Sequence, residues 1–137
     1  MLAASRRYPE LVSQLVPTST SYIIDNLIRR LLAEGYVGEV LSVEIQRLRR
    51  NFAEREGVLD WRHDREFSGD NTLNLGATYE SMLRWFGPGD RVMAQTKVHV
   101  GNRKNTGGES VAGAIPDHVH VLYELTNKAQ VHTRLCE

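Results

Sequence analysis

"HVHVLYELTNKAQVHTRLC", residues 118–136, is the stretch that decides the fold class. Val119, Val121, Tyr123 and Leu125 alternate with His118, His120, Leu122 and Glu124. Ala129, Val131, Thr133 and Leu135 alternate with Gln130, His132, Arg134 and Cys136. Side chains of a strand point alternately to opposite sides, so each run reads as a strand with an apolar row to bury and a polar row to leave open. Thr126-Asn127-Lys128 joins them as a hairpin, with Asn127 suited to a left-handed turn conformation.

Upstream, Val92, Ala94, Thr96, Val98 and Val100 alternate with Met93, Gln95, Lys97 and His99, which adds a third late strand. The segment GNRKNTGGES (101–110) between these strands reads as a flexible surface loop. Leu41, Val43 and Ile45 alternate with Ser42, Glu44 and Gln46 in an earlier strand, and PELVSQLVP (9–17) reads as a short apolar strand ended by Pro17. Helical spacing appears twice. Ile23, Ile24, Leu27, Ile28, Leu31 and Leu32 recur at steps of three and four before Gly35, and Leu75, Tyr79, Met82, Leu83 and Phe86 do so before Gly87. The connection over 51–70 is long and polar, and Trp61, read as buried, argues that it is ordered. The expected fold class is α+β, an open and mostly antiparallel sheet with helices packed on one face. The first and last strands lack obvious partners, so the chain reads as cut at both ends.

The 137 residues suit one domain with an ordinary core, at 41% hydrophobic and 25% charged residues. Seventeen basic residues balance seventeen acidic ones, and no basic stripe with interleaved aromatics appears, so neither nucleic acid nor a membrane surface is the expected partner. A single cysteine, Cys136, forms no internal disulfide, which suits a reducing, cytoplasmic setting. No apolar run approaches a membrane span, and the N-terminus has no secretory h-region.

GYVGEVLSVEI (35–45), Trp61-Arg62, the glycine- and asparagine-bearing helix start in SGDNTLNLGATYESMLRWFG (68–87) and PDHV (116–119) stand in an order that resembles the Gfo/Idh/MocA oxidoreductases. The resemblance covers most of residues 9–137. It implies that residues 1–17 are a remnant of the end of the nucleotide-binding domain. Residues 18–137 would be the C-terminal α+β substrate and oligomerisation domain, incomplete at its C-terminal end. Members carry an N-terminal Rossmann domain for NAD or NADP, and their second-domain sheet packs against a partner subunit, so a homodimer is implied. The dinucleotide fingerprint has no counterpart here, because Gly35-Tyr36-Val37-Gly38 follows a helix rather than joining strand to helix. No cofactor site is therefore expected in this chain. The family's Glu-Lys-Pro element is also missing. Its aspartate and histidine positions hold Asn74 and Thr78, neither of which titrates near neutral pH. Tyr79 and Glu80 stand beside them as possible substitutes, since some members carry a Tyr-Glu pair there. The expected function is that of a truncated relative of an NAD(P)-dependent dehydrogenase of a sugar- or polyol-like substrate. A stand-alone α+β binding or assembly protein is the alternative.

Arg62, Asn71, Asn74, Thr78 and Tyr79 are the expected lining for a small polar substrate. Capping of the helix by Ser68, Asp70 or Asn71 accounts for the polar start equally well, at about 1 kcal/mol. Gly76 inside the helix costs roughly 1 kcal/mol against alanine, which suggests a close approach to the backbone. On the polar sheet face, His99, His118, His120 and His132 invite a zinc reading, but no CxxC or HExxH supports it and no metal is expected. Glu44, Gln46, Gln95, Lys97, Gln130 and Arg134, with Met93, Leu122 and Leu48, complete a face that suits water or a second subunit.

Overall fold

The structure, a computed structural model, describes residues 2–13, 23–49, 54, 57–69 and 73–137. Helices α1 (Leu2–Arg7) and α2 (Asp25–Ala33) lead to strand β1 (Ser42–Leu48); a 3-10 turn (Trp61–His63), α3 (Arg65–Ser68) and α4 (Leu73–Phe86) follow. The remaining strands are β2 (Gly89–Lys97), β3 (Asn102–Lys104), β4 (Ser110–Ala112), β5 (His118–Leu125) and β6 (Gln130–Cys136). Residues 9–13 are turn and irregular chain rather than the expected strand, and 14–17 lie outside the described residues. No described helix is long and apolar enough to cross a membrane.

α2 ends as its sequence dictates. Gly35 at φ 71 is the left-handed residue, with Tyr36 N–H donating to Leu31 O at 2.9 Å and Gly35 N–H to Leu32 O at 3.1 Å. α4 ends on Gly87 at φ 87. The two helices are tied by Asp25, which is buried and accepts from Arg84 Nε at 3.1 Å and Trp85 Nε1 at 2.8 Å.

The main sheet has the order β1-β6-β5-β2. β5 pairs antiparallel with both β2 and β6, while β1 pairs parallel with β6, Ser42 opposite Gln130 through Leu48 opposite Cys136. The last strand is therefore central rather than an uncovered edge, because the chain returns β1 to its side. In the β5–β6 turn Lys128 (φ 74), not Asn127, takes the left-handed conformation. Asn127 instead accepts from Ala129 N–H through its side chain at 3.1 Å. The 101–110 segment forms a second, two-stranded sheet of β3 and β4. Asn105 Oδ1 accepts from Gly107 and Glu109 N–H at 2.9 Å each, which closes that hairpin without apolar residues.

The core is the apolar row of the opening stretch. Val119, Val121, Tyr123, Leu125, Ala129, Val131 and Leu135 are buried, with Val40, Val43, Ile45, Leu75 and Phe86 against them. β2 is different. All nine of its residues are exposed, and Val92 is 72% exposed although it shares the helix side with Tyr123. Of the expected apolar row, Val92, Ala94 and Thr96 stay exposed, while Val100, just beyond the strand, is buried.

Candidate functional site

Tyr79 of α4 meets Tyr123 of β5 edge to face, with ring centroids 5.9 Å apart. Beside them opens a cleft of about 420 Å³ lined by Leu75, Gly76, Tyr79, Gly89, Asp90, Arg91, Val92, Val121 and Tyr123. That volume falls in the range of small-molecule sites. Gly89 lets the ring seat there, since a Cβ at that position would stand 3.1 Å from Tyr123 Cδ2. The Tyr123 hydroxyl is buried and has no hydrogen-bond partner among the described residues. Burial, then the neighbouring Tyr79, pushes its pKa up to about 12, so it is a neutral phenol held beside an apolar cleft. A buried hydroxyl without a partner is costly unless something supplies one. Gly76 faces this opening with nothing within 4 Å of an added Cβ, so among the described residues no group makes the close approach that its presence suggested.

The expected site residues do not share one lining. Thr78 lines a different cleft of about 320 Å³ with Ile45, Ser81, Met82 and Trp85. Its hydroxyl donates to the Asn74 carbonyl at 2.7 Å. Glu80 pairs with Arg84 at 3.3 Å. Arg62 lies 4.3 Å over the Trp61 ring and 3.7 Å from Asp60 Oδ1. Trp61 is 52% exposed, which corrects its reading as a buried anchor. Asn71 and Asp70 lie outside the described residues. Asp60 is held below the usual carboxylate range. Burial opposes this, but the Arg62 backbone N–H and the Arg49 guanidinium outweigh it.

A second polar group was not legible in the sequence. His63, Arg103 and Glu137 are all buried, and His63 Nδ1 and Glu137 Oε1 have no partner among the described residues. Burial first, then Arg103, lowers the His63 pKa and favours the neutral ring. Nothing in the spacing of positions 63, 103 and 137 announces this cluster, which depends on Leu59 N–H donating to Lys104 O at 2.7 Å.

On the opposite face of the sheet the histidines do come together. His118 Nε2 lies 2.7 Å from His120 Nε2, and His120 Nδ1 lies 3.2 Å from His132 Nε2. His118 Nδ1 lies 3.3 Å from the buried Cys136 Sγ, and the His99 ring stands edge-on to His118 at 5.2 Å. A zinc ion needs nitrogens converging on one point, whereas His118 and His120 spend both ring nitrogens on neighbours. Among the described residues no group of three or more His, Cys, Asp or Glu is arranged to hold a metal.

The sequence profile of the GFO/IDH/MocA C-terminal domain matches residues 26–136. The chain belongs to the GFO/IDH/MocA family. The fold agrees. Levoglucosan dehydrogenase in complex with NADH and L-sorbose superposes with a TM-score of 0.70 at 19% identity, over 79% of this chain and 30% of that one. An NAD binding oxidoreductase from Klebsiella pneumoniae gives 0.70 at 18% identity, over 98% and 36%. A super-repressor mutant of Gal80p from Saccharomyces cerevisiae gives 0.67 at 14% identity, over 97% and 37%. This GFO/IDH/MocA chain thus spans about a third of the length of these solved relatives. No curated protein sequence matches it significantly.

Among the described residues, no glycine turn has the strand-to-helix setting of a dinucleotide cradle. A Rossmann cradle is a glycine-rich turn leading from a strand into a helix N-terminus within parallel strands. Here Gly35 and Gly38 lead from α2 toward β1, the reverse connection. The parallel pair β1–β6 is joined through α4 and the other strands of the sheet rather than by one crossover helix.

Proposed function

We propose that this chain supplies the substrate-side wall and the assembly sheet of a nicotinamide-dependent dehydrogenase acting on a sugar- or polyol-like hydroxyl. The nicotinamide would be held by another domain, and residues 1–17 would belong to the end of that nucleotide-binding half. The observation that carries the reading is the cleft beside α4, where the Tyr79 ring offers an apolar platform for a ring face and the Tyr123 hydroxyl, buried and unpartnered among the described residues, would be uncovered to bond a ligand hydroxyl. Among the proposed lining residues Tyr79 retains its place at this cleft. Thr78 lines the neighbouring cleft, and Arg62 stands against Trp61 and Asp60. With Asn74 and Thr78 at the family's titrating positions, the chain has no proton acceptor there and is proposed to bind without turning over substrate alone.

The competing reading, a binding or assembly protein without catalysis, draws on the Thr78 hydroxyl being spent on its own helix. It also draws on the similar fold of the Gal80p super-repressor mutant, which is named as a repressor rather than a dehydrogenase. One experiment separates them. The purified chain is titrated with NADH and NADPH by fluorescence, and its melting temperature is followed with levoglucosan and L-sorbose. The proposal expects no saturable cofactor binding and a ligand-dependent rise in melting temperature that Tyr123→Phe removes. Saturable micromolar cofactor binding would overturn it, and indifference to every polyol in a stable dimer would favour the competing reading.

A further inference from the structure

On the open sheet face His118 and His120 use both ring nitrogens, and His132 uses its Nε2. Cys136 Sγ, His118, His120 and His132 form one chain with successive separations of 3.3, 2.7 and 3.2 Å. Each nitrogen-to-nitrogen link needs one hydrogen, neither none nor two. When all three rings are neutral, both links are filled and one outer nitrogen, His118 Nδ1 or His132 Nδ1, carries the remaining hydrogen. One extra proton fills the other outer nitrogen and leaves every link intact. A second extra proton has to enter a link that already holds one, which breaks it and sets two imidazolium ions side by side.

The surroundings make that second proton costly. Lys97 of β2 lies opposite His118, and Arg134 of β6 lies opposite His120 with its Nε buried and unpartnered among the described residues. His99 stands edge-on to His118. Gln95 opposite His120 and Leu122 opposite His132 bring no charge. Two carboxylates are near. Asp117 accepts the backbone N–H groups of His99 and Val100 at 2.8 to 3.0 Å and is committed to them, and Glu44 of β1 lies opposite His132. The His118 pKa is lowered, first by burial and then by His120, His99 and Arg134, in keeping with this balance.

The face is also arranged to meet itself. Its β1 edge carries Glu44 and its β2 edge carries Arg91 and Lys97, while exposed Leu48 and Met93 on those same strands and Leu122 on β5 supply apolar area. A two-fold axis parallel to the strands and midway between β6 and β5 lays the β1 edge of one copy over the β2 edge of the other. The registers then set Glu44 of each copy level with Met93 of the other and diagonal to its Arg91, so the one acid of the β1 edge meets the basic β2 edge. The same axis brings the imidazole chains of β5 and β6 together at the centre, in a layer about 10 Å thick.

We propose that this imidazole chain is a proton-operated latch on the pairing of two copies of this chain through the open sheet face. The proposal rests on the assembly reading above and adds its regulation. Near pH 8 the chain is neutral and its links are filled, so two copies close over it. As pH falls below the imidazole range, further protons break the links and place like charges against each other across the axis, and the pair separates.

Sedimentation equilibrium between pH 8 and pH 5.5 tests this, with circular dichroism confirming that the fold persists. The wild-type dimer dissociation constant is expected to rise at least about tenfold across that range, with uptake of more than one proton per chain. His120→Gln, which interrupts the middle of the chain, should still pair at pH 8 but lose most of the pH dependence. His132→Gln, at the outer end, gives the same reading should the first variant fold poorly. A dimer whose affinity is flat with pH, or a variant that keeps the wild-type slope, overturns the latch while leaving assembly intact. A monomer at every pH overturns the assembly reading and the latch with it.

Discussion

The two faces of one sheet are built from the same strands and have opposite fates. On the helix side Val119, Leu125, Val131 and Leu135 are at most 2% exposed, closed over by α4 and β1. On the other side Leu122 is 45% and Met93 65% exposed, among histidines bonded to one another. A strand sends alternate residues to alternate faces, so this division is set residue by residue. The chain buries most of one face by itself, while the other bonds three of its histidines to one another and leaves Leu122 and Met93 uncovered. That pattern suits a face meant for a partner.

The contrast is most sharply tested by matched deletions. Leu125→Ala should cost about 3 kcal/mol in urea unfolding, because the fully buried side chain leaves a cavity. Leu122→Ala, three residues away on the open face, should cost under about 1 kcal/mol in the monomer. Equal losses would mean that the two faces are not different in kind. Asp25→Ala should cost about 2 kcal/mol, since Arg84 Nε and Trp85 Nε1 lose their shared acceptor between α2 and α4.

A smaller effect is expected from pH. The folded His63 pKa lies below its unfolded value because burial and Arg103 oppose the charge. Its contribution to stability is therefore complete above the unfolded value of about 6.5 and is lost as pH falls toward the folded one. His118 has the same sign, lowered first by burial. Urea midpoints should decline on acidification below that point, and His63→Gln should flatten part of the decline. Smallest of all is Tyr123→Phe. Removing a buried hydroxyl with no partner should change stability by less than about 1 kcal/mol, or raise it slightly, while removing any ligand-induced rise in melting temperature.

What the sequence made legible follows the same division. α2, α4, β1, β5 and β6 were readable because their apolar residues repeat at the period of their own geometry and their ends carry Gly35 and Gly87. β3 and β4 were not, since a side-chain acceptor on Asn105 rather than an apolar row holds that hairpin. The parallel pairing of β1 with β6 joins segments about ninety residues apart, and no local pattern encodes it. Of the site, Tyr79 was visible, whereas Tyr123 passed as one more member of an apolar row. A phenol among valines and leucines was the available signal. The histidine face was visible as a face, but its linkage depends on strand register, which alternation alone leaves open.

The most direct test of the two-faced sheet is sedimentation equilibrium of the wild type against Leu122→Glu at pH 8 and micromolar concentration. The wild type is expected at twice the chain mass of 15.5 kDa and the variant at 15.5 kDa, because the added carboxylate falls on the open face alone. A wild type that sediments at 15.5 kDa, or a variant that pairs as tightly as the wild type, would contradict the account.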